Sequence, residues 1–363
     1  MGEEKLKTGI ADLPLHWGIA PKWLFEKMVK LGKAITEIVV LEYGKDDFLR
    51  KISDPFWLQA FACVLGWDFH SSGCTTVTLG ALKEANLKEF GIAVLGGKGK
   101  ASRKTPQEIE ALAEEFSFTD KKIEELKRAS KLVAKVDNTA LQDGFQLYHH
   151  SFIVTEEGKW AVIQQGMNPE NKYARRYHWL SEKVKCFVNE PHLAICCDIK
   201  GKSLNMVAKE SEETRKCSVD LINDNPIHLK KYLVFNKEQK TIFKYLQMSP
   251  THEIELDNYK ALEEAFEQQP KNYEELLQIK GIGPKTVRAL ALISNLVFGT
   301  EVSWRDPVCY SFAHGGKDKQ PYPIDRKTYD ESIKLLQDAI QQAKLGQKEK
   351  IEAIKRLNSF LKI

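Results

Sequence analysis

Carboxylate, imidazole, amide and guanidinium side chains are concentrated in residues 137–178. The members of this polar cluster are Asp137, Asp143, Gln146, His149, His150, Gln164, Gln165, Asn168, Arg175, Arg176 and His178. Such side chains can hold a divalent metal ion, activate a water molecule and offset the negative charge that develops during phosphodiester hydrolysis. The sequence therefore predicts a hydrolytic site in this segment. The candidate catalytic residues are Asp143, His149, His150, Gln165, Arg176 and His178.

The cofactor predicted for this site is a divalent metal ion. Asp143, His150 and His178 are the predicted ligands, and Mn²⁺ or Mg²⁺ is the expected metal because the cluster combines oxygen and imidazole donors. Alternate side chains of a strand share a face, so His149 and His150 point to opposite sides. Buried histidine and glutamine side chains also satisfy one another by hydrogen bonds, and a purely structural cluster is the alternative.

A second group of residues has the spacing of an element that binds the backbone of DNA. In residues 276–290, one short helical segment ends at Gly281-Ile282-Gly283 and another begins at Pro284. Glycine lets main-chain amides approach a phosphate, and proline suits the first turn of a helix, where free amides face an anion. The predicted DNA contacts are Lys280, Gly281, Ile282, Gly283, Lys285, Thr286 and Arg288.

DNA binding by this helix-hairpin-helix element would be independent of base sequence and sensitive to salt, because it contacts phosphates alone. A helical turn used only for packing or for protein contacts is the alternative. The glycine-rich stretch 96–106 adds Lys98, Lys100 and Arg103, which we also expect to contact DNA. A solvated, mobile basic loop would have the same composition.

Hydrophobic periodicity indicates which elements must position these residues. Residues 21–67 have helical periodicity, and Asp54-Pro55 predicts the start of one helix. Apolar runs at residues 145–154 and 160–167 predict two strands of a β-hairpin.

From about residue 229 to the end the pattern is helical, apart from a loop at residues 303–326. The predicted fold is therefore α+β. We expect a mixed N-terminal domain with a small antiparallel sheet over residues 1–225. An all-helical C-terminal domain over residues 226–363 would carry the helical hairpin.

Composition limits the possible functions. Lys and Arg number 54 and Asp and Glu number 50, a formal charge of +4. This excess is too small to indicate a nucleic-acid binder by itself, so positive charge must be clustered locally. No apolar segment of transmembrane length and no signal-peptide pattern occurs, which predicts a cytoplasmic protein. The sequence contains no phosphate-binding loop of the ATPase type.

Nearly the whole chain resembles the archaeal and bacterial family catalogued as domain of unknown function 763. The segments that carry the resemblance are 8–16 (TGIADLPLH), 53–57 (SDPFW), 68–76 (DFHSSGCTT), 145–150 (FQLYHH), 164–168 (QQGMN), 174–179 (ARRYHW) and 312–317 (FAHGGK). The resemblance implies a helix-hairpin-helix protein that acts on single-stranded, duplex or branched DNA as a divalent-metal-dependent nuclease. It allows a homodimeric assembly, and it transfers no catalytic residue.

The C-terminal part is also similar to helix-hairpin-helix DNA glycosylases. In bifunctional members a nucleophilic lysine follows the hairpin, where Lys285 stands, and a later carboxylate corresponds to Asp325. The interval between these two residues is longer here than in that superfamily. Two alternatives to a nuclease therefore stay open: a base-excision glycosylase or lyase that uses Lys285 and Asp325, and a non-catalytic protein that binds DNA structures.

Overall fold

A computed structural model describes residues 20–67, 71–197, 199–229, 259–308 and 326–360. Within these residues, helices pack on both sides of an antiparallel β-sheet. The predicted α+β class with a small antiparallel sheet is thus confirmed. In this described part of the chain, no helix has both the length and the apolar character needed to cross a lipid bilayer.

Twelve α-helices lie within the described residues. They are α1 Lys22–Tyr43, α2 Lys45–Ser53, α3 Pro55–Leu65, α4 Gly73–Glu84, α5 Thr105–Leu112, α6 Asp120–Lys135, α7 Glu212–Asn223, α8 Tyr259–Gln268, α9 Tyr273–Gln278, α10 Pro284–Phe298, α11 Arg326–Gln342 and α12 Gln347–Phe360. The helix start predicted at Asp54-Pro55 is confirmed in α3. There the Asp54 carboxylate accepts hydrogen bonds from the amides of Phe56 (2.8 Å) and Trp57 (3.0 Å).

The strands form two antiparallel sheets. They are β1 Ile92–Lys98, β2 Leu141–Gln142, β3 Gln146–Thr155, β4 Trp160–Asn168, β5 Tyr173–Leu180, β6 Ala194–Cys196, β7 Lys202–Asn205 and β8 Ser303–Arg305. The larger sheet has the order β1-β3-β4-β5-β6, and the smaller has the order β2-β7-β8. The predicted β-hairpin is confirmed as β3 and β4, which pair in antiparallel register on either side of the turn at residues 156–159.

Both faces of the larger sheet are buried. Face A, which carries Phe152, Val162 and Trp179, packs into a hydrophobic cluster with α5 to α10. Face B, which carries Ile153 and Leu180, packs into a second cluster with α1 to α4, α11 and α12. Polar side chains on either face are therefore removed from bulk water and need partners within the protein.

The boundary expected between residues 225 and 226 does not coincide with a division between these clusters. The cluster on face A includes Leu276 and Leu290 from the C-terminal part, and the cluster on face B includes Leu336 and Leu357. The C-terminal part is also not entirely helical, because β8 pairs with β7 and extends the smaller sheet. Tertiary packing thus joins the two predicted domains at both faces of the larger sheet.

The basic stretch expected to be a loop is ordered along most of its length. Edge strand β1 continues through Lys98, and a 3₁₀ helix follows at Gly99–Lys104. Gly96 makes the required bend, with a φ of +80° and its carbonyl accepting from Lys83 Nζ at 2.7 Å. A Cβ atom at Gly96 would lie only 2.2 Å from the His150 carbonyl oxygen. Only glycine therefore fits this position without displacement of β3.

We expect Gly96→Ala to lower the free energy of unfolding by about 2–4 kcal/mol, because the new methyl group meets backbone at a left-handed position. Urea denaturation followed by circular dichroism would measure the change. Gly201→Ala is the matched control, since a Cβ there meets no atom within 4 Å. Equal stability of the two variants would contradict this account of the bend.

Candidate functional site

The register of β3, β4 and β5 divides the predicted catalytic residues between the two faces of the sheet. His150 lies opposite Gln164 and Gln164 opposite Tyr177, all on face A. The register places His149 opposite Gln165 on face B. Arg176 and His178 also lie on face B, so the six predicted catalytic residues do not form one cluster.

On face A, four side chains form a continuous hydrogen-bonded relay: Ser130, His150, Gln164 and Asp137. Ser130 Oγ lies 3.0 Å from His150 Nε2, and His150 Nδ1 lies 2.7 Å from Gln164 Oε1. Gln164 Nε2 donates to Asp137 Oδ2 at 2.5 Å. Each of the four residues is at most 5% exposed, so the relay is shielded from competing water.

The hydrogen bonds of the Gln164 amide group determine which atoms of the relay donate and which accept. The Gln164 amide group donates to the Asp137 carboxylate and to the Val133 carbonyl, so its oxygen must accept from His150 Nδ1–H. His150 Nε2 is then the unprotonated nitrogen of the neutral ring, and the Ser130 hydroxyl donates to it. Burial lowers the pKa of His150, which keeps the ring neutral near pH 7.

Asp137 anchors the relay from the π-helical turn Val136–Ala140, which follows α6. Its carboxylate is fully buried and also accepts from Trp179 Nε1 at 2.9 Å and His192 Nε2 at 2.5 Å. Several donors are what a buried carboxylate needs to offset lost hydration. Sequence reasoning included Asp137 in the polar cluster but missed Ser130 and His192. A serine on the apolar face of α6 was the one available signal.

A cavity of about 240 Å³ opens beside the relay. Ser130, His150 and Gln164 line its inner part, and the exposed cations Arg103 and Lys131 line its rim. The structure thus brings together His149 and His150 from the predicted catalytic set and Arg103 from the predicted DNA contacts. An anionic group would meet positive charge at the entrance of this cavity and an oriented imidazole inside it.

Lys98 and Lys100 belong to the same chain segment as Arg103. Both residues are exposed, and the Lys98 ammonium lies 6.0 Å from the centre of the Tyr148 ring, which also lines the cavity. The edge strand β1 and the 3₁₀ helix after it hold these cations. Order in this segment reduces the entropy lost when they bind an anion.

On face B, Arg176 and His178 bond to each other and to helices. Arg176 Nε donates to His178 Nε2 at 2.8 Å, and His178 Nδ1 donates to the Ser53 carbonyl at 2.8 Å. Arg176 Nη1 donates to Gln59 Oε1 at 3.1 Å. Burial and the Arg176 charge hold the pKa of His178 well below its ordinary value. Both ring nitrogens of His178 are hydrogen-bonded. The Arg176–His178 pair thus fastens the sheet to α2 and α3.

Two other predicted catalytic residues on face B also have local partners. Gln165 accepts from the Thr75 hydroxyl and donates to the Ser72 carbonyl at 2.8 Å. His149 Nε2 lies 2.9 Å from Ser151 Oγ, and among the described residues His149 Nδ1 has no hydrogen-bond partner. Gln165 thus ties β4 to the start of α4.

Asp143 belongs to a buried ion-pair network. It pairs with Arg175 Nη1 at 2.8 Å and accepts from the Tyr177 hydroxyl at 2.7 Å. Arg175 also pairs with Asp306 at 2.8 Å. Burial alone would lower the pKa of Arg175, but these two carboxylates raise it above its ordinary value. Arg175 is therefore already neutralised and does not face the cavity lined by His150.

The three predicted metal ligands do not meet. Asp143 pairs with Arg175, His150 belongs to the relay, and His178 bonds to Arg176 on the other face. No group of three or more His, Cys, Asp or Glu side chains within the described residues is arranged to hold a metal ion. These three side chains do not fit Mn²⁺ or Mg²⁺ as a ligand set, because His150 and His178 lie on opposite faces of the sheet and Asp143 is paired with Arg175.

The predicted DNA-binding segment forms a helical hairpin, in which helices α9 and α10 are joined by residues 279–283. Gly281 has a φ of +90°, whereas Gly283 has an extended φ of −123°, so only Gly281 needs glycine for its backbone. Ile282 is fully buried and holds the turn in the core. Lys280, Gly281 and Lys285 are exposed.

The turn presents main-chain donors to solvent. Among the described residues, the amides of Gly281 and Gly283 have no hydrogen-bond acceptor. A Cβ atom at Gly283 would meet nothing within 4 Å, so open space lies in front of this turn. Such an arrangement of free amides at the start of a helix favours an anion.

Two of the predicted DNA contacts, Thr286 and Arg288, are buried or bonded within the protein. Thr286 is 4% exposed. Arg288 is half-buried, and its Nε donates to Gln142 Oε1 at 2.8 Å. Arg288 therefore fastens α10 to the smaller sheet. Asp325, the partner assigned to Lys285 in the glycosylase alternative, lies outside the described residues.

Helix α6 connects the helical hairpin to the cavity. Lys135, its last residue, donates from Nζ to the Ile282 carbonyl at 2.6 Å. Lys131, which lies at the cavity rim, precedes Lys135 by one helical turn, about 6 Å along the axis. Burial lowers the pKa of Lys135. The hairpin turn and the cavity thus share one side of the molecule.

One protein-family model matches most of the chain. A family model described as "Protein of unknown function (DUF763)" matches residues 9–324. Neither a curated protein nor a solved structure matches this sequence. The expected cytoplasmic location and homodimeric assembly stay predictions.

The buried histidines predict how stability depends on pH. Burial lowers the pKa of His149 to about 3, against about 6.5 in an unfolded chain. Between these values the unfolded chain binds a proton that the folded chain does not, so acid favours unfolding. The stability that depends on neutral His149 is complete above the unfolded pKa and decreases as the pH falls toward 3.

We therefore expect His149→Asn to make the free energy of unfolding less dependent on pH between 6 and 4, by up to about 1.4 kcal/mol per pH unit. Urea denaturation at several pH values would measure the slopes. His228→Asn, at an exposed histidine, is the control. A variant slope equal to that of the wild type would contradict the burial of an uncharged ring at His149.

Proposed function

Since this chain belongs to the DUF763 family, whose description names no activity, we propose a function from its geometry. The protein binds the sugar-phosphate backbone of DNA through its helical hairpin. It then hydrolyses a phosphodiester bond in the cavity beside the relay. DNA structure, and not base sequence, would determine where it binds, because main-chain amides and lysines contact phosphates.

The observation that carries this proposal is the exposed turn of the helical hairpin. The Gly281 and Gly283 amides lack acceptors among the described residues, and they lie beside exposed Lys280. A phosphate oxygen would satisfy these donors at the positive end of α10. Buried Ile282 holds the turn in this conformation before DNA arrives, so little ordering entropy would be lost on binding.

A cationic surface supports an extended DNA path from the hairpin to the cavity. Lys135 supports the turn, Lys131 lies one helical turn away, and Arg103 lines the same cavity as Lys131. Phosphates in single strands and duplexes recur at intervals of several ångströms, so neighbouring phosphates could reach both places. The small net charge of +4 is compatible with this local clustering.

The relay would supply the general base for hydrolysis. His150 Nε2 is unprotonated, its Nδ1–H is held by Gln164, and Asp137 orients Gln164 in turn. A base oriented in this way can accept a proton from the oxygen that attacks phosphorus. Arg103 and Lys131 would offset charge on the phosphate oxygens.

The decisive experiment incubates the full-length protein with labelled single-stranded, duplex and branched DNA, with Mg²⁺, with Mn²⁺ or with chelator. Strand cuts that His150→Gln abolishes while DNA affinity is retained would support hydrolysis at this cavity. Borohydride trapping of a covalent adduct that requires Lys285 would instead support the glycosylase or lyase alternative. Binding without any product would support a non-catalytic DNA-structure-binding protein.

We expect Gly283→Val to weaken DNA binding at least about tenfold, or about 1.4 kcal/mol. The new side chain enters open space in front of the free amides, so it blocks the phosphate without crowding the fold. Fluorescence anisotropy with a short labelled duplex would measure the affinity. Gly346→Val is the matched control, because Gly346 also directly precedes a helix, α12, and a Cβ atom there would meet no atom closer than 3.5 Å.

Charge reversal at Lys280 offers an independent readout of the same contact. We expect Lys280→Glu to weaken binding and to lower the slope of log affinity against log salt by about one unit. Lys22→Glu changes an equally charged residue that is 91% exposed on α1. If both variants bind DNA as the wild type does, the hairpin is not the anchor.

A further inference from the structure

We propose that Ser130 is the nucleophile of the reaction and forms a transient phosphoserine bond to the cleaved DNA strand. The inference rests on the proposed function and identifies which oxygen attacks phosphorus. A nucleophile needs an adjacent base, an orienting group behind that base, and access to substrate. Ser130 has all three.

The first requirement is met by the pair Ser130 and His150. Their Oγ and Nε2 atoms are 3.0 Å apart, within the range over which a hydroxyl transfers its proton to an imidazole. The tautomer fixed by Gln164 leaves Nε2 unprotonated, so the hydroxyl hydrogen points at the base. A water molecule could reach Nε2 only after displacing Ser130, which makes Ser130 the first proton donor available to this base.

The second requirement is met by Gln164 and Asp137. Gln164 Oε1 holds His150 Nδ1–H at 2.7 Å, and the Asp137 carboxylate holds the Gln164 amide at 2.5 Å. When His150 becomes positively charged, the oxygen dipole of Gln164 faces the charge, and the Asp137 carboxylate lies behind it. This arrangement stabilises the imidazolium ion and keeps the ring in one orientation.

The third requirement is met by the cavity. Ser130 and Lys131 are consecutive residues of α6 and both line it, so the attacking oxygen and a cation belong to one rigid element. Arg103 lines the same cavity from the 3₁₀ helix that follows β1. A phosphodiester held between the two cations would bring its phosphorus toward the serine oxygen.

The reaction proceeds in two balanced steps. In the first, Ser130 Oγ bonds to phosphorus and its proton passes to His150 Nε2. The phosphorus–oxygen bond to the leaving deoxyribose breaks, and that oxygen receives the proton from His150 through cavity water. In the second, a water molecule gives a proton to His150 and attacks phosphorus. The phosphorus–Oγ bond then breaks, and Ser130 recovers that proton, so the net reaction consumes one water molecule.

The stereochemistry of cleavage tests this mechanism on the wild-type protein. Two successive displacements retain the configuration at phosphorus, whereas direct attack by water inverts it. Cleavage of a DNA oligonucleotide with one chiral phosphorothioate, carried out in ¹⁸O-labelled water, should therefore give a product of retained configuration. Inversion would overturn the nucleophilic role of Ser130 while leaving the proposed hydrolysis intact.

Ser130→Ala should retain DNA affinity within about twofold and lose cleavage by about 10²–10⁴-fold. Wild-type reactions stopped in detergent should yield protein that carries labelled DNA, with the attachment site mapped to Ser130 by mass spectrometry. Ser218→Ala, at another buried helical serine, is the matched control for folding and activity. Cleavage by Ser130→Ala at the wild-type rate would overturn the inference alone. Absence of any cleavage by the wild type would overturn the proposed hydrolysis together with it.

Discussion

Burial of both faces of the five-stranded sheet is the constraint on which the rest of the structure depends. A polar side chain in the buried middle of β3, β4 or β5 is removed from bulk water, and an unpaired buried polar group costs about 1–3 kcal/mol. The strands nevertheless carry histidine, glutamine and arginine, and helices, loops and neighbouring strand residues supply partners for nearly all of them. The polar networks therefore determine how the helices dock, and hydrophobic packing alone would leave these contacts less specific.

The two faces use this constraint differently. On face B, Arg176 and His178 bond to each other, and their further hydrogen bonds reach Gln59 in α3 and the Ser53 carbonyl in α2. On face A, the relay ends at Ser130 beside an open cavity, so one of its members is in reach of a ligand. The same residue types thus hold secondary-structure elements together on face B and form a candidate chemical site on face A. Access to the cavity, and not residue type, makes the difference.

Helix α6 connects the two parts of the proposed function. Its C-terminal Lys135 holds the turn of the helical hairpin, and its Ser130 and Lys131 line the cavity. A rigid helix fixes the distance between an anchoring phosphate and a reacting phosphate, which is how binding energy at one place can orient chemistry at another. The same helix leads into the π-helical turn that carries Asp137, so anchor and relay share one support.

Secondary-structure features that depend only on neighbouring residues could be predicted from the sequence. Apolar runs at residues 145–154 and 160–167 predicted β3 and β4, Asp54-Pro55 predicted the start of α3, and Gly281-Ile282-Gly283-Pro284 marked a turn between two helices. These features are local, because backbone preference and side-chain periodicity act over a few residues. The α+β class followed from them.

Which polar side chains contact each other depends instead on the tertiary structure. Asp143 and His178 looked like neighbours of His150 in sequence, but the pleat and the separate docking of helices placed them in other networks. Residues that pair can be far apart in the sequence. Asp306, for example, follows its partner Arg175 by 131 residues. Side-chain partners depend on how whole elements pack, and packing is set by the summed burial of many apolar residues. A local pattern therefore predicts the strand but not the site that the strand helps to build.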